Sequence, residues 1–396
     1  MRRPRYCSPV PDVLPIVLAL PWVIAPVVTI LRARNSRSLD DESPALANAP
    51  SVSIVVPARN EAHNIERCIR SALAADYPAL EVIAVDDHST DGTGTILRAI
   101  AATDGRLRVV VPPPLPPGWF GKQWACATGA AASSSDVIGF LDADTWQEPD
   151  LVPRVVTAMR SRNADLLTVA GRQEMGSFWE RMIQPQMFSI MLVQFGGTES
   201  VNESTRATQK IANGQCIFVR RDAYNALGGH AAVRDRVAED LALAQLYFAS
   251  GKRSFVVLGL EQLSTRMYTS LRELVEGWGK NIYVAGREVM PGGSIGRALY
   301  PLALVSPALA GLVPPIVLLL ALAGVLGHGW LVWGAIVTAS NTLWWLLVYG
   351  WLRLSPVYAL IHPVGSAVLL YIAMRSIVRG GNVRWKDRVY TVAVRQ

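Results

Sequence analysis

The sequence has few cysteines, and no two of them lie at metal-binding spacing. Cys7, Cys68, Cys126 and Cys216 are scattered along the chain, and no C-x-x-C motif occurs. This excludes a cysteine-rich zinc site and a disulfide framework as the basis of the fold. Isolated buried thiols are expected instead, and they fit a reduced, cytoplasmic compartment.

Charged residues are also scarce, at 17% of 396 residues, whereas 51% are hydrophobic. Four stretches lack Asp, Glu, Lys and Arg altogether and are long enough to cross a bilayer. They cover residues 13–31, 298–327, 330–352 and 356–374. Arg2, Arg3 and Arg5 precede the first stretch, but no small-residue cleavage site follows it, so we expect an uncleaved anchor rather than a signal peptide. The sequence therefore predicts a multi-pass protein of the cell membrane.

The net charge is +7, and basic residues crowd behind the last of these stretches. They are Arg375, Arg379, Arg384, Lys386, Arg388 and Arg395. Next to a bilayer, such a cluster predicts contact with anionic lipid. Neither a basic domain face nor a nucleic-acid-binding motif is recognisable, so nucleic acid is not an expected partner.

Between residues 51 and 260, short apolar runs alternate with segments that have a helical pattern. Strands are predicted at 52–56, 81–85, 107–111, 136–141, 165–170 and 217–219, and helices at 61–75, 90–101 and 149–160. This alternation predicts an α/β fold with a mostly parallel sheet and helices on both faces. By region, we expect an anchor and linker at 1–50, the α/β domain at 51–260, an interface helix region at 261–297, a transmembrane bundle at 298–375 and a basic tail at 376–396.

Acidic residues follow two of the predicted strands. Asp142 and Asp144 come directly after the run at 137–141, and Asp86 and Asp87 follow the second strand. Open parallel sheets bind ligands at the carboxyl ends of their strands. Two carboxylates one residue apart repel each other unless a cation joins them, and Mg²⁺ or Mn²⁺ suits such oxygen ligands and would hold a diphosphate. Asp-x-Asp is also ordinary turn chemistry, so the tripeptide alone leaves both interpretations open.

Other polar residues near these strand ends have both a structural and a functional explanation. Asn60 and Glu61 fit a helix cap and an acid in the first helical turn, which requires no ligand. Lys122, in a loop with two tryptophans, is either a phosphate contact or a solvated side chain. Glu239 and Asp240 lie in the first turn of a further predicted helix, where acids are common and where a carboxylate is also well placed as a general base.

Two longer helical segments point to the membrane surface. Residues 178–195 are apolar and rich in methionine, which fits an interface segment, the lining of a lipid channel or an ordinary buried helix. Residues 271–289 combine aromatic residues, including Trp278, with Arg272, Lys280 and Arg287. This second segment is predicted to lie in the plane of the interface.

Taken in order, four motifs resemble those of family 2 glycosyltransferases with the GT-A fold. The motifs are residues 57–61, residues 86–91, Asp142-Ala143-Asp144 and Glu239-Asp240. The match covers about residues 51 to 290. The stretches at 118–125, 213–215, 266–268 and 385–390, with the flanking membrane segments, are similar to the subgroup that glycosylates lipids, such as carotenoid, hopanoid-associated and ceramide glycosyltransferases.

This resemblance implies a role for each matching residue. The 57–61 motif would cradle the nucleotide, and the acidic pair at 86–87 would contact its base and ribose. Asp142 would meet the ribose or a metal, Asp144 the metal itself, and Asp240 would be the catalytic base. The residues predicted to bind substrate are Pro57, Arg59, Glu61, Asp86, Asp87, Lys122, Asp142, Glu239, Arg266 and Trp278. The implied cofactor is Mn²⁺ or Mg²⁺.

The predicted function is an inverting transfer of one sugar from a nucleotide sugar, expected to be UDP-linked, to a hydroxyl or carboxylate on a membrane lipid at the cytoplasmic face. The expected partners are this donor, the lipid acceptor and the bilayer. The Q-x-x-R-W motif of processive polymerases is absent, and residues 276–280 are the nearest stretch. This argues against polysaccharide synthesis, which stays an alternative together with an inactive membrane scaffold of the same fold. Asp387 stands where the subgroup is expected to have glycine, so the role of the tail is open.

The predicted topology contains a conflict. Four crossings would place the C-terminus on the side opposite the catalytic domain, whereas its basic residues favour the cytoplasmic side. The stretch at 298–327 contains Pro301, Pro307, Pro314 and Pro315. A broken or re-entrant segment there would return the tail to the cytoplasmic side.

Overall fold

The computed structural model describes residues 13–45, 47–385 and 388–391. The strands are β1 (Val52–Ala58), β2 (Leu80–Asp86), β3 (Leu107–Val110), β4 (Val137–Leu141), β5 (Thr145–Gln147), β6 (Leu166–Gln173), β7 (Cys216–Arg220), β8 (Ser254–Thr265), β9 (Asn382–Trp385) and β10 (Arg388–Thr391). The helices are α1 (Val13–Ala33), α2 (Ile65–Leu73), α3 (Thr93–Ala101), α4 (Gly121–Ala132), α5 (Leu151–Ser161), α6 (Phe178–Phe195), α7 (Thr198–Asn202), α8 (Arg221–Ala226), α9 (Glu239–Ala249), α10 (Leu271–Val289), α11 (Gly293–Leu322), α12 (His328–Trp351), α13 (Val357–Leu360) and α14 (His362–Arg379). The N-terminal arginines, Cys7, Lys386, Asp387 and Arg395 lie outside the described residues.

Eight strands form one mixed, mostly parallel sheet in the order β3-β2-β1-β4-β7-β6-β8-β5. β1 is parallel to β2 and β4, β2 to β3, and β6 to β8. β7 runs antiparallel between β4 and β6, and β5 is antiparallel to β8. The predicted α/β fold is therefore confirmed. β5 and β8 are additions that the apolar pattern did not predict.

Helices cover both faces of this sheet. Ile65 of α2, Leu97 of α3 and Val155 of α5 pack into the core on one face. Ala125 of α4 and Leu243 of α9 pack into the core on the other. Because both faces are covered, a central strand such as β4 is buried along its whole length, which explains its unbroken apolar sequence.

Within the residues that the structure describes, three helices rather than four are long and apolar enough to cross a membrane: α1, α11 and α12. The stretch at 356–374 lacks charge, but it is divided between the short helix α13 and the helix α14. α14 continues into Arg375 and Arg379 and packs against α6, α10 and α11. The predicted fourth span is therefore not among the candidate spans. One face of α14, with Leu369 and Ile372, is buried against other helices, whereas Tyr371, Met374 and Val378 are exposed.

The count of three also changes the topology. The segment at 298–327 is not broken, since α11 is a continuous helix through its four prolines. If all three helices cross a bilayer, the segment after α12 lies on the same side as the segment after α1. The hairpin of β9 and β10 accordingly contacts the α/β domain, where Arg388 pairs with Asp87.

The polar segment after α1 is packed onto the domain along its first half. Leu39 is fully buried, and Ser38 forms a β-bridge with Leu258. The backbone N–H of Arg37 donates to Oγ1 of Thr198 over 2.8 Å. The predicted linker is therefore attached to the domain as soon as α1 ends.

α6 and α10 have the predicted bounds and meet α14 beside the α/β domain. Met182 and Met187 of α6 are buried in their shared core, whereas Met191 is exposed. The backbones of α6 and α14 come close at Gly365, where a Cβ atom would lie 2.9 Å from the carbonyl oxygen of Met182. The buried-helix interpretation therefore holds for most of α6.

Candidate active site

The carboxyl ends of β1, β2 and β4 lie side by side at one edge of the sheet. Ala58 of β1 is paired with Asp86 of β2, and Val55 of β1 is paired with Phe140 of β4. Because neighbouring parallel strands end together, the three motifs that follow them are brought to the same edge. This is where open sheets of this kind bind ligands.

Asn60 shapes the first of these motifs, but not as the helix cap that was predicted. Its φ is 54°, in the left-handed region that asparagine tolerates. Its side-chain oxygen accepts a hydrogen bond from the N–H of Thr90 over 2.8 Å, and α2 begins only at Ile65. Glu61 likewise precedes α2, and its N–H donates to Oγ1 of Thr93. The turn is therefore stabilised by the neighbouring 86–93 loop.

Lys122, at the start of α4, connects two acids from distant parts of the chain. Its Nζ lies 2.8 Å from Oδ1 of Asp142 and 2.8 Å from Oε1 of Glu239. All three side chains are mostly buried. Burial disfavours the charge on Lys122, but the two carboxylates outweigh it and hold its pKa well above the usual range. Lys122 is therefore a permanent cation at the centre of the site.

The same ammonium affects the two acids differently. Burial raises the pKa of Asp142, and attraction to Lys122 offsets this only in part. At Glu239 burial acts in the same direction, but Lys122 outweighs it and the pKa is lowered. Glu239 is therefore the firmly ionised partner of Lys122.

Asp240 lies beside this group at the start of α9. Its Oδ2 accepts a hydrogen bond from the N–H of Gly214 over 2.9 Å, and its Oδ1 accepts one from the N–H of Leu241 over 2.7 Å. Burial, followed by repulsion from Glu239, raises the pKa of Asp240 to about 6. A carboxylate with this pKa and a fixed orientation can accept a proton near neutral pH.

The loop at 213–215 joins Asp240 to Asp142. The carbonyl of Gln215 accepts a hydrogen bond from the N–H of Asp142, and Gly214 donates to Asp240. A Cβ atom at position 214 would lie 2.9 Å from Oδ2 of Asp240, so glycine permits this close approach. The sequence singled out this stretch only through its family resemblance, and its role in holding both acids was not predicted.

Asp86 and Asp87 occupy the second strand end and are both buried. Oδ1 of Asp86 accepts from the N–H of Ser89 over 3.0 Å. The carbonyl of Asp87 accepts from Nη1 of Arg59 over 2.6 Å. Nε of Arg59 is buried and has no hydrogen-bond partner among the described residues. It is a donor that a ligand at this edge would satisfy.

Arg266 and Trp278 were predicted to bind substrate, but their polar groups contact α6. The backbone N–H of Arg266 donates to the carbonyl of Asp144 over 3.3 Å, while its guanidinium pairs with Glu180 at 3.0 Å. Nε1 of Trp278 donates to Gln184 over 3.0 Å. The polar side-chain atoms of these two residues are therefore directed to α6 and not to the acidic cluster.

A divalent metal fits Asp142 and Asp144, provided that a ligand supplies the other oxygens. No group of three or more His, Cys, Asp and Glu suited to a metal occurs within residues 13–45, 47–385 and 388–391. Mg²⁺ bound with a nucleotide needs only one or two protein carboxylates, because phosphate oxygens and water complete its shell. The predicted Mn²⁺ or Mg²⁺ is therefore compatible with the two carboxylates as a partner of a diphosphate.

Comparison with known proteins gives consistent matches. The family model for glycosyl transferase family 2 matches residues 53–228. The 4,4'-diaponeurosporenoate glycosyltransferase of Staphylococcus aureus is 28% identical over 246 residues, which are 59% of this chain and 61% of that protein. The chain thus matches about three fifths of the length of this relative.

The mannosyltransferase PcManGT from Pyrobaculum calidifontis, solved with GDP-Man and Mn²⁺, superposes with a TM-score of 0.54 at 19% identity. The match covers 92% of this chain and 98% of that one. At this identity the likeness shows the fold alone. Residues 53–228 are therefore similar to glycosyl transferase family 2, and the domain that contains them has a GT-A-like fold.

Proposed function

We propose that this protein is an inverting, metal-dependent glycosyltransferase that transfers a single sugar from a nucleoside-diphosphate sugar to a membrane lipid. The observation that carries the proposal is the convergence of acids from four motifs at one sheet edge, with Asp240 next to the Lys122 ion pairs. No structural requirement of the fold explains so many carboxylates in one place.

The donor would lie across the ends of β1, β2 and β4. Arg59, with its unpartnered buried Nε, and the acids Asp86 and Asp87 offer polar contacts for the nucleotide. Asp144 and Asp142 would hold Mn²⁺ or Mg²⁺ on the diphosphate. When bound, the metal supplies positive charge that stabilises the leaving group.

Asp240 would be the general base that takes the acceptor's proton. Its hydrogen bonds to Gly214 and Leu241 orient the carboxylate, and its pKa of about 6 leaves it mostly ionised at pH 7. Attack from the face opposite the diphosphate would invert the anomeric centre. Glu239 and Lys122 would stay paired, because their opposite charges stabilise each other.

A lipid acceptor is supported by the three apolar helices that flank the domain and by the relative named above, whose acceptor, diaponeurosporenoate, is by name a carotenoid carboxylate. We place the catalytic domain at the cytoplasmic face, since nucleotide sugars are cytoplasmic. Arg32, in the last turn of α1, and Arg34 and Arg37, directly after it, lie on the domain side of this helix.

The direct test is to incubate the purified full-length protein with radiolabelled UDP-sugars and GDP-sugars and total membrane lipid, with and without Mn²⁺. Metal-dependent appearance of one labelled lipid supports the proposal. Label in a high-molecular-weight polymer would favour polysaccharide synthesis instead. Absence of any transfer and of any nucleotide binding would support an inactive scaffold.

A further inference from the structure

The hairpin of β9 and β10, here called the C-terminal hairpin, contacts the sheet edge that carries the acidic motifs. It follows α14 and therefore comes from the membrane-associated end of the chain. Two of its side chains, Arg388 and Tyr390, contact residues from two different elements of the donor edge. Of the two described side chains, neither Arg388 nor Tyr390 belongs to the hydrophobic clusters of the α/β domain.

Arg388 forms a bidentate ion pair with Asp87. Its Nη1 lies 2.6 Å from Oδ2 and its Nη2 lies 3.1 Å from Oδ1. The Asp87 side chain is 3% exposed, whereas that of Arg388 is 20% exposed. With Arg59 on its backbone carbonyl, Asp87 is held from both sides. Each carboxylate oxygen has two lone pairs, so Asp87 can still accept a hydrogen bond from a ligand.

Tyr390 holds the element that carries Lys122. Its ring stacks on Phe120 with 4.1 Å between centroids and 16° between planes. Its hydroxyl accepts a hydrogen bond from the N–H of Gly121 over 3.2 Å. Gly121 is the first residue of α4, directly before Lys122. The C-terminal hairpin therefore connects the Asp87 strand end to the start of the helix that positions the central cation.

The negative charges at the sheet edge explain why an arginine is suited to position 388. The donor carries a negatively charged diphosphate, and the edge already holds Asp86, Asp87, Asp142 and Asp144. A buried carboxylate without a partner would repel such a donor and would itself be unfavourable. Arg388 neutralises Asp87, which is the most buried of these four acids.

We propose that the C-terminal hairpin is part of the donor site, with Arg388 and Tyr390 as positioning residues for the base and ribose of the nucleoside diphosphate. This inference rests on the proposed function. Arg388 acts through Asp87, and Tyr390 acts through Phe120 and the start of α4. The opposite role, a hairpin that blocks the donor site, would require tighter donor binding when these contacts are removed, so the sign of the effect separates the two.

The test uses the full-length protein in detergent with the variants Arg388→Gln and Tyr390→Ala. Arg379→Ala, on α14 just before the hairpin, is the matched control. Binding of UDP and of GDP in the presence of Mn²⁺ is measured by calorimetry, and the KM values for sugar donor and lipid acceptor are measured separately. We expect nucleotide affinity to fall about 10- to 100-fold in Arg388→Gln, with a parallel rise in donor KM and an unchanged acceptor KM.

A double variant tests whether Arg388 acts through Asp87. Once Asp87→Asn has removed the carboxylate, Arg388→Gln should weaken nucleotide binding by less than about threefold further. An equal loss in both backgrounds would contradict the proposed connection. Tyr390→Phe keeps the ring stack and should bind nucleotide more tightly than Tyr390→Ala, which provides a second measurement if one variant folds poorly.

The outcomes for the hairpin and for the proposed function are distinguishable. Wild-type sugar transfer together with unchanged nucleotide affinity in Arg388→Gln and Tyr390→Ala would overturn the hairpin proposal and leave the enzyme proposal intact. Tighter binding in these variants would overturn it in favour of a blocking role. If the wild type binds nucleotide but transfers no sugar, the enzyme proposal fails while the binding experiment still decides the hairpin.

Discussion

Two groups of buried charges in this molecule differ in how completely their charges are paired. At the sheet edge, one lysine serves two carboxylates, and Asp240 beside them keeps a raised pKa. At the junction of α6 with β8, Glu180 is fully buried but is completely paired. It receives two hydrogen bonds from Arg266 and one from the N–H of Ser177. These contacts lower the pKa of Glu180, although burial opposes them.

The comparison shows how a functional group of charges differs from a structural one. At the junction each charge is balanced locally, so nothing is left to act on a ligand. At the edge acids outnumber the cation that pairs with them, and the excess is concentrated where the strands end. We therefore expect substitutions at the edge to change the reaction and substitutions at the junction to change stability.

The largest effect is expected for Asp240→Asn. With a hydroxyl acceptor, loss of the general base should lower kcat by about 10² to 10⁴, while the thermal unfolding midpoint changes little. A carboxylate acceptor is already ionised, so the loss should then be mild. Initial rates with donor in excess measure this, and Asp235→Asn, at an exposed acid nearby, is the control. Full activity on a hydroxyl acceptor would refute the assignment of Asp240.

Lys122→Gln should have the next largest effect. It leaves Asp142 and Glu239 close together without their shared cation, which raises the pKa of both and disturbs donor binding. We expect kcat/KM for the donor to fall about 10- to 100-fold. Lys252→Gln, outside the site, is the matched control. If the donor kinetics are unchanged, the ion pairs of Lys122 have only a structural role.

Glu180→Ala should affect stability instead. Removing the buried partner of Arg266 is expected to cost about 1 to 3 kcal/mol, less than for a fully buried pair because the Arg266 side chain is 40% exposed. Urea unfolding measures the loss, and the specific activity of the remaining folded enzyme should stay within about threefold. A large fall in kcat without a change in stability would contradict the distinction between the two groups.

The smallest effect is expected from pH. Asp240 accepts a proton only when ionised, so with a hydroxyl acceptor the activity should fall as pH decreases through its pKa of about 6. From pH 7 to pH 6 the rate should drop about twofold, and by pH 5 about tenfold. The profile of kcat/KM against pH measures this. The fall in activity at low pH should be absent from the residual activity of Asp240→Asn. The same fall in that variant would assign the titration to another group.

The sequence predicted the main features of the fold because apolar runs and strand ends are local properties. The strands before Asp86 and Asp142 could be read from their composition, and parallel strands must bring their ends to one edge. The pairing of Lys122 with Glu239 could not be read, since side-chain partners from distant segments are chosen by packing. Asn60 was misassigned because a left-handed turn and a helix cap favour the same residue type.

The fourth membrane span shows a different limitation. An uncharged stretch predicts that a segment avoids water, but it does not say whether lipid or protein replaces the water. In α14, Leu369, Ile372 and Ala373 are buried against neighbouring helices. The pairing of Arg388 with Asp87 likewise cannot be read from a run of basic residues, whereas contact of the tail with anionic lipid stays a prediction.

If the acceptor is a lipid, as proposed above, the packed segment after α1 has a consequence for which lipids can react. Leu39 is buried in the domain only a few residues beyond the end of a membrane helix, and the hairpin ties the other end of the chain to the same domain. A domain tethered at both ends has a fixed height above the bilayer. The reactive group of an acceptor must therefore protrude to that depth, so molecular length, as well as chemistry, would select the substrate.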